Sequence, residues 1–256
     1  MAEVELARDG AVLTITLNRP DVLNAFTRET HKAFRAALKD AQAAEVRAVV
    51  VTGAGRGFCV GQDLEEFREG GDDVADRLRR AYHPTVLAIR RLEKPVIAAV
   101  NGVAAGGGLS LACACDVRIA SDQATFVPAF INIGLIPDMG GTFFVTRLLG
   151  YARAFEWLTS GRGLSATDAQ AWGLVSEVVE ADNLGPRTVE IARELAAMPT
   201  RGVGMTKRLL DGSASRRLEE QLELEAQLQA AAAQSEDFAE GVAAFLEKRE
   251  PRFAGR

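Results

Sequence analysis

Strand-like and helix-like segments alternate from residue 12 to residue 149, and this order limits the folds open to the chain. Val12–Leu17 alternates apolar and polar side chains, as a half-buried strand does, whereas 47–52 and 95–100 are almost continuously apolar, as buried strands are. Strands that alternate with helices favour helices packed on mostly parallel sheets, so we predict an α/β core. The series is completed by predicted helices at 27–44, 76–92, 106–114 and 138–149 and a predicted strand at 116–120.

Beyond residue 151 the pattern changes, because strand signals almost vanish and helical periodicity dominates. Pro199 ends one predicted helix before the next begins. We therefore predict a core domain at 1–195 and a C-terminal helical region at 196–256. The predicted helices of this half are 164–172, 184–198, 200–210 and 216–233.

Size and charge exclude several classes of function. A chain of 256 residues, 48% hydrophobic and 25% charged, can bury one substantial core. The net charge of −5 argues against a general binder of nucleic acid or membrane surfaces, since both need an excess of Lys and Arg. The apolar runs of the sequence are too short to span a bilayer. We expect neither a nucleic-acid partner nor a membrane partner.

The cysteines and the N-terminus bear on the compartment. Cys59, Cys113 and Cys115 form no CxxC pair, which disfavours both a disulfide framework and a thiolate metal site. The first ten residues carry acidic side chains and no apolar run behind a basic region, so we expect no signal peptide. These features fit a reducing cytoplasm, and no metal is expected.

Two glycine-bearing segments each follow a predicted strand. In Phe-Cys-Val-Gly-Gln-Asp at 58–63, backbone N–H groups near Val60 and Gly61 could be free to face a ligand, although an ordinary strand-to-helix turn is the simpler interpretation. The segment 101–108 ends in three glycines at the start of a helix, where free amides suit an oxyanion. A tightly packed helix start explains those glycines equally well. Neither segment has the dinucleotide or phosphate-loop spacing.

Asp138 lies just ahead of a predicted helix, in Ile-Pro-Asp-Met-Gly-Gly. Two roles are open for it, an N-cap of that helix or a general base facing a cavity beside the glycines. His31 and His83 are interpreted as packing or surface residues, because neither has a nucleophile or metal ligand at motif spacing. The sequence contains no GxSxG, HExxH or EF-hand pattern.

In this order and spacing, these segments resemble the enoyl-CoA hydratase/isomerase (crotonase) superfamily. The motifs that carry the likeness are 58–63, 101–108, 126–134 and 135–141. The likeness covers nearly the whole chain, from Leu-Asn-Arg-Pro at 17–20 to Phe-Leu-Glu-Lys-Arg at 245–249. It implies a spiral of ββα repeats with a C-terminal helical trimerisation region, and a homotrimer or hexamer.

The resemblance also implies an acyl-CoA thioester as substrate, with coenzyme A as part of that substrate and no separate cofactor. Two backbone amides of the family hold the thioester oxygen, and by motif position they fall on Val60 and Gly107. The coenzyme A moiety is then expected near Arg19, Gln62, Asp63 and Leu64, with Lys248 as a further phosphate contact.

The departures from the family pattern indicate the reaction. Hydratases of the family use two glutamates, and the matching positions here hold Ser110 and the substrate-contacting Phe130, neither of which can do acid–base work. The remaining carboxylate is Asp138, and 126–138 looks most like the branch that converts ring-1,2-epoxyphenylacetyl-CoA to oxepin-CoA in phenylacetate breakdown. One carboxylate can remove a proton and return it elsewhere. The resemblance therefore favours an isomerase of 3-enoyl-CoA or of the ring epoxide.

Two alternatives stay open at this point, an enoyl-CoA hydratase and a catalytically inactive acyl-CoA-binding protein, since fold alone does not fix function. The dehalogenase branch of the superfamily also has an aspartate at the position of Asp138. That branch pairs it with a histidine where this chain has Leu87, which disfavours a dehalogenase.

Overall fold

The computed structural model describes residues 2–69 and 73–256. The polar stretch at 70–73, which the sequence predicts to be mobile, lies outside the described residues except for Asp73. The Asp73 side chain accepts a hydrogen bond from the Asp76 N–H and so caps a short helix. Within these two ranges, no helix has both the length and the apolar character that crossing a bilayer requires.

Two sheets form the centre of the molecule. Their strands are β1 (Val4–Asp9), β2 (Val12–Leu17), β3 (Ala48–Gly53), β4 (Gly57–Cys59), β5 (Val96–Val100), β6 (Val103–Ala105), β7 (Val117–Ser121), β8 (Thr125–Val127), β9 (Leu164–Ser165) and β10 (Glu177–Val179). The larger sheet has the order β1-β2-β3-β5-β7-β10 and is parallel except for the β1–β2 hairpin. The smaller sheet has the order β4-β6-β8-β9.

From β3 to β8 the chain alternates between the two sheets. β3, β5 and β7 are neighbours in the larger sheet, and the strands that follow them, β4, β6 and β8, are neighbours in the smaller one. After β6 the chain enters α5 (Gly107–Ala114), whose residues are all buried. This arrangement confirms the predicted α/β class and the spiral of ββα repeats.

Apolar layers lie on both faces of the larger sheet. One face and the smaller sheet enclose the main core, which contains α5 and the side chains of Phe34, Phe58 and Trp157. The opposite face carries Val50, Ile97 and Ile119, against which α9 (Leu184–Ala197) packs. The other helices are α1 (Arg28–Asp40), α2 (Leu64–Glu69), α3 (Val74–Arg77), α4 (His83–Arg91), α6 (Gly141–Leu149), α7 (Tyr151–Ser160), α8 (Ala166–Ala171), α10 (Thr200–Ser213), α11 (Leu218–Ala232) and α12 (Glu236–Glu247).

Several predicted boundaries are wrong for local reasons. The helix predicted at 138–149 begins at Gly141, because Gly140 has a left-handed backbone with φ 79°. The helix predicted at 164–172 begins as a strand, since Leu164 pairs with Phe126 of β8. The helix predicted at 76–92 is interrupted by a π turn at Leu78–Tyr82. The sequence did not predict β1, β4, β6, β8 and β10, most of which have three residues and therefore show no periodicity.

The C-terminal helices are tied to the larger sheet through Arg47. Its guanidinium donates to the Met198 carbonyl at 2.6 Å, the Thr200 hydroxyl at 2.8 Å and the Phe253 carbonyl at 2.7 Å. α12 leaves apolar side chains in solvent, and Phe245 is 83% exposed. The domain division at residue 195 and the trimerisation role of these helices stay predictions.

A buried ion cluster fixes α10 against the strands. The Lys207 ammonium donates to Asp116 Oδ2 at 2.8 Å and to the Ile89 carbonyl at 2.9 Å, and it is only 7% exposed. The other oxygen of Asp116 accepts from Arg90 at 3.0 Å. Burial is the main cause that lowers the pKa of Lys207, and the charge of Asp116 opposes it. The position of α10 thus depends on a charge that has lost most of its water.

We expect Lys207→Ala to lower the free energy of unfolding by about 1.5–3 kcal/mol, the usual worth of a hydrogen bond to a charged group, because the half-buried Asp116 carboxylate then keeps Arg90 alone as its cation. Urea unfolding followed by circular dichroism measures this. Lys32→Ala is the matched control, since the Lys32–Glu29 pair is largely exposed and should contribute about 0–1 kcal/mol. A loss of stability no larger for Lys207→Ala than for the control would contradict the role of the cluster.

Candidate active site

Two glycine-bearing loops meet backbone to backbone where the smaller sheet passes into α5. A Cβ atom on Gly108 would lie 2.0 Å from the Cys59 carbonyl oxygen, so a side chain at this position has no room. Gly61 has φ +91°, and a Cβ there would lie 2.8 Å from the Gly107 nitrogen. The contact brings the loop after β4 against the first turn of α5, which is where the sequence predicts an anion-holding site.

The structure gives the Val60 N–H a partner inside the protein. It donates to the Leu23 carbonyl at 3.2 Å, and the neighbouring Gly61 N–H lies 3.5 Å from the Cys59 sulfur. The prediction that amides near Val60 and Gly61 are free therefore disagrees with the geometry at Val60. The loop packs on the turn at 23–26, which the sequence does not link to it.

Gln62 supplies the free amide of this loop instead. Phe26 bonds to both neighbours of Gln62: it donates to the Gly61 carbonyl at 2.7 Å and accepts from the Asp63 N–H at 2.8 Å. In such a parallel bridge the middle residue points its own N–H to the other side. Within 2–69 and 73–256 no acceptor is found for the Gln62 N–H.

Gly107 offers a second free amide. As the first residue of α5 it has no intrahelical acceptor, and the described chain offers its N–H no other. A Cβ atom at Gly107 would lie 3.3 Å from Gln62 Nε2 and 3.1 Å from the Met139 sulfur, so these three residues are in contact. The two free amides and the residue after Asp138 therefore meet at one place.

Asp138 does not cap the helix that follows it. The N-cap of α6 is Gly140, no side chain bonds to the first turn, and only the backbone carbonyl of Asp138 accepts, from Gly141 N at 2.8 Å. Its Oδ1 atom is buried without a hydrogen-bond partner. The neighbouring Met139 has φ 50°, a left-handed conformation that is uncommon outside glycine and aspartate-like residues. The N-cap interpretation is therefore wrong.

Burial dominates the electrostatics of Asp138. Loss of water raises the pKa of its carboxyl from 3.8 to about 7, and one hydrogen bond from its own backbone opposes this only partly. A buried carboxyl whose pKa lies near neutral pH has a property that a general base needs.

The two positions that hold glutamates in hydratases lie at the same site. Ser110 is buried on α5, and its hydroxyl oxygen would be 2.6 Å from a Cβ on Gly141. Phe130 is also buried, with its ring tip 3.9 Å from a Cβ on Gly106. Neither side chain adds a carboxylate beside Asp138.

The residues predicted to contact coenzyme A are only partly brought together. Arg19 donates to Asp63 Oδ2 at 3.0 Å and to the Ala25 carbonyl at 2.7 Å. Burial opposes ionisation of Asp63, but the hydrogen bond from Arg19 and backbone donors lower its pKa overall. Leu64, which follows Asp63 in the chain, is exposed. Lys248 is the C-cap of α12, and no described hydrogen bond joins it to the loop at 58–63.

A residue that the sequence did not assign to the site supports the Gln62 loop. His31 is fully buried, with Nδ1 2.9 Å from the Thr85 hydroxyl and Nε2 3.2 Å from Gln62 Oε1. Burial lowers the pKa of His31 to about 4, although its bond to Gln62 opposes the shift. His31 is thus a neutral packing residue, as predicted, while His83 is exposed. No sequence motif links position 31 to position 62.

A large cavity lies elsewhere in the structure. Its volume is about 1140 Å³, and it is lined by α6, α10, α11 and neighbouring residues that include Arg90, Asp116 and Lys207. Among the described residues no group of three or more His, Cys, Asp or Glu side chains could hold a metal ion. We place the candidate site at Asp138 and not at this cavity, because the Asp138 carboxyl is buried without a partner at Oδ1 and the adjoining Met139 contacts both residues that carry the free amides.

Comparison with known proteins agrees with this geometry. The sequence model of the enoyl-CoA hydratase/isomerase family matches residues 7–256. The chain is 43% identical over 250 residues to the 1,2-epoxyphenylacetyl-CoA isomerase of Escherichia coli (strain K12), covering 96% of this chain and 95% of that protein. It is also 43% identical over 242 residues to a probable enoyl-CoA hydratase of Rhodobacter capsulatus, covering 94% of each.

Solved structures show the same architecture. The crystal structure of an enoyl-CoA hydratase from Bacillus anthracis superposes with a TM-score of 0.92 at 33% identity, covering 99% of this chain and all of that one. The predicted crotonase fold is thereby confirmed.

We expect Gly61→Ala to destabilise the protein more than Gly10→Ala. Both glycines have positive φ, which costs a residue with a Cβ about 1–2 kcal/mol, but only Gly61 would also press on Gly107. That overpacking adds about 1–3 kcal/mol. Urea unfolding of both variants measures the difference. Equal losses of stability would show that the loop can move away from the added Cβ atom at no cost.

The raised pKa of Asp138 makes stability depend on pH. The folded state binds this proton more tightly than the unfolded state, so stability falls as pH rises from about 4 through about 7. Asp138→Asn removes the effect, and its stability relative to wild type should grow by on the order of 2 kcal/mol from pH 5 to pH 8. Urea unfolding at several pH values tests this, with Asp40→Asn, at the exposed end of α1, as the matched control. A difference that does not change with pH would contradict the buried, unpartnered carboxylate.

Proposed function

Because this chain belongs to the enoyl-CoA hydratase/isomerase family, we propose that it is an acyl-CoA isomerase in which Asp138 is the single base. The observation that carries the proposal is the buried, unpartnered Oδ1 of Asp138, whose neighbour in the chain, Met139, contacts the two residues that carry the free amides. A proton acceptor and donors for an oxyanion are the groups that an enolate-forming reaction needs.

In the proposed reaction, the Asp138 carboxylate removes a proton from the carbon next to the thioester carbonyl. The carbonyl oxygen becomes an enolate oxygen and accepts hydrogen bonds from the N–H groups of Gln62 and Gly107. We assign the first donor to Gln62 in place of Val60, since the Val60 N–H is occupied by Leu23. One preorganised donor is typically worth about 3 kcal/mol of transition-state stabilisation. Asp138 then returns the proton elsewhere on the acyl group, which moves the double bond or accompanies expansion of an epoxide ring.

The lack of a second carboxylate supports isomerisation over hydration. Addition of water needs one group to activate it and another to deliver a proton, and Ser110 and Phe130 occupy the positions of the two hydratase glutamates. The likeness to the Escherichia coli 1,2-epoxyphenylacetyl-CoA isomerase supports either that ring epoxide or a 3-enoyl-CoA ester as substrate. The equal identity to a probable hydratase keeps enoyl-CoA hydration as the second candidate.

The binding of coenzyme A and the assembly of the protein complete the proposal. The ion pair of Arg19 with Asp63 holds the loop that carries Gln62, and we propose that the coenzyme A moiety lies along this edge beside Leu64. Lys248 is a further phosphate contact in this proposal. The exposed apolar side chains of α12, which include Phe238 and Phe245, support a trimer or hexamer in which the C-terminal helices are covered.

We expect wild type to isomerise 3-enoyl-CoA or ring-1,2-epoxyphenylacetyl-CoA, with kcat/KM rising as pH increases through about 7, because the base must lose its proton. Asp138→Asn should lower kcat/KM by roughly a hundred- to ten-thousandfold. Absorbance and mass spectrometry follow both reactions beside hydration of crotonyl-CoA.

The outcomes separate the candidates. Asp40→Asn is the control, and it should retain wild-type rates since Asp40 is exposed at the end of α1. Hydration of crotonyl-CoA without isomerisation would establish the hydratase instead. Tight binding of acyl-CoA esters with no turnover would leave an acyl-CoA-binding protein. Full isomerase activity in Asp138→Asn would remove Asp138 from the mechanism.

A further inference from the structure

Tyr82 closes a stack of rings beside the Gln62 loop. The His31 ring lies between Phe26, at a centroid distance of 4.4 Å, and Tyr82, at 4.6 Å, with nearly parallel planes on both sides. His31 also bonds to the side chain of Gln62. Since Phe26 fixes the backbone of Gln62 and His31 fixes its side chain, the Tyr82 ring is positioned by the same groups that orient the proposed oxyanion donor.

The backbone at Tyr82 has an uncommon form. Leu78–Tyr82 is a π turn between α3 and α4, closed by the His83 N–H, which donates to the Leu78 carbonyl. A π turn inserts one extra residue into a helix and frequently occurs at functional sites, because it redirects a side chain that a regular helix would point elsewhere. Here the redirected residue at the end of the turn is Tyr82.

Arg77 lies one residue before this turn and is buried without a counter-charge. It is only 6% exposed, its Nη1 donates to the Phe67 carbonyl at 3.0 Å, and its guanidinium stacks on the Phe67 ring at 4.5 Å. Its Nε–H is buried without a partner, and within 2–69 and 73–256 it forms no ion pair. Arginine is rarely buried in this way unless it binds an acceptor.

The charges around the Tyr82 hydroxyl favour a neutral donor. The pKa of Tyr82 is raised to about 12, mainly by burial; the carboxylates of Asp138 and Glu66 contribute to the rise and the charge of Arg77 opposes it. The hydroxyl therefore keeps its proton at neutral pH and feels both Arg77 and the proposed base. Arg77 can only donate, so its guanidinium acts on the oxygen of Tyr82 and leaves the proton of the hydroxyl available. Among the described residues the Tyr82 O–H has no acceptor of its own.

We propose that Tyr82 donates this hydrogen bond to an oxygen atom carried by the acyl group of the substrate, with Arg77 as the residue that positions the hydroxyl. The acyl groups selected are those with an ether, epoxide or hydroxyl oxygen near the carbon that Asp138 deprotonates. Plain hydrocarbon chains offer the O–H no acceptor where they displace water from it, and they are disfavoured. This inference rests on the proposed function, and it decides between the two substrates named there in favour of the oxygenated ring.

The binding of acyl-CoA esters tests the inference without any need for turnover. In wild type, calorimetry should show 2-hydroxyphenylacetyl-CoA binding about tenfold more tightly than phenylacetyl-CoA, the effect of one satisfied hydrogen bond. Tyr82→Phe retains the ring that stacks on His31 and should abolish that preference. Tyr151→Phe is the matched control, because Tyr151 is the other tyrosine of the chain and lies exposed on α7. It should retain the wild-type preference.

Kinetics give a second measure. Tyr82→Phe should lower kcat/KM for ring-1,2-epoxyphenylacetyl-CoA about tenfold more than kcat/KM for a 3-enoyl-CoA ester. The positioning role of Arg77 is tested by Arg77→Lys, which retains the charge and removes the Nε–H. Its effect on the preference for the oxygenated ester should disappear when Tyr82 is already phenylalanine.

The results distinguish this inference from the proposed function. Equal effects of Tyr82→Phe on oxygenated and plain esters, or a wild type that binds both esters equally, would overturn the role of Tyr82 even if Asp138→Asn abolishes isomerisation. A wild type that prefers the oxygenated ester but isomerises nothing would refute the isomerase while the recognition role stands. If Tyr82→Phe does not fold, the wild-type preference between the two esters still decides.

Discussion

The contact between the backbones around Cys59 and Gly108 is the constraint on which the site depends. The two loops from neighbouring repeats can approach this closely because Gly61, Gly107 and Gly108 carry no Cβ atom, and this closeness brings the loop of Gln62 against Gly107. The ββα spiral creates the opportunity, because β4 and β6 are adjacent strands of the smaller sheet and their following loops leave the same edge. The fold thus concentrates donors without any charged side chain.

Asp138 shows the energetic cost of such a place. The protein leaves a carboxyl oxygen buried and unpartnered, next to a methionine in a left-handed conformation, where a regular helix start would have satisfied it. Such unfavourable arrangements persist only where the surrounding structure holds them, and they are common at functional sites. The stability that the core and the Asp116–Lys207 cluster supply is what allows the carboxyl to stay poorly solvated.

Much of the architecture could be predicted from sequence because its long elements carry clear periodicity. β2, β3, β5 and α9 fall close to their predicted limits. The three-residue strands of the smaller sheet could not be predicted, since three residues do not establish a period. Within the site, Gly107 and Asp138 were found through motif resemblance. Gln62 was predicted only as a substrate contact, because the direction of its N–H is set by Phe26, which no local pattern joins to it.

The hydrogen bonds of Arg47 can form only late in the synthesis of the chain. Arg47 lies just before β3, yet the acceptors that satisfy its guanidinium, on Met198, Thr200 and Phe253, come 151 to 206 positions later in the chain. The parallel sheet therefore has to be held together by its own strands for most of translation, with one arginine still hydrated. Late docking of the last helices supplies the acceptors of this arginine and joins distant parts of the sequence.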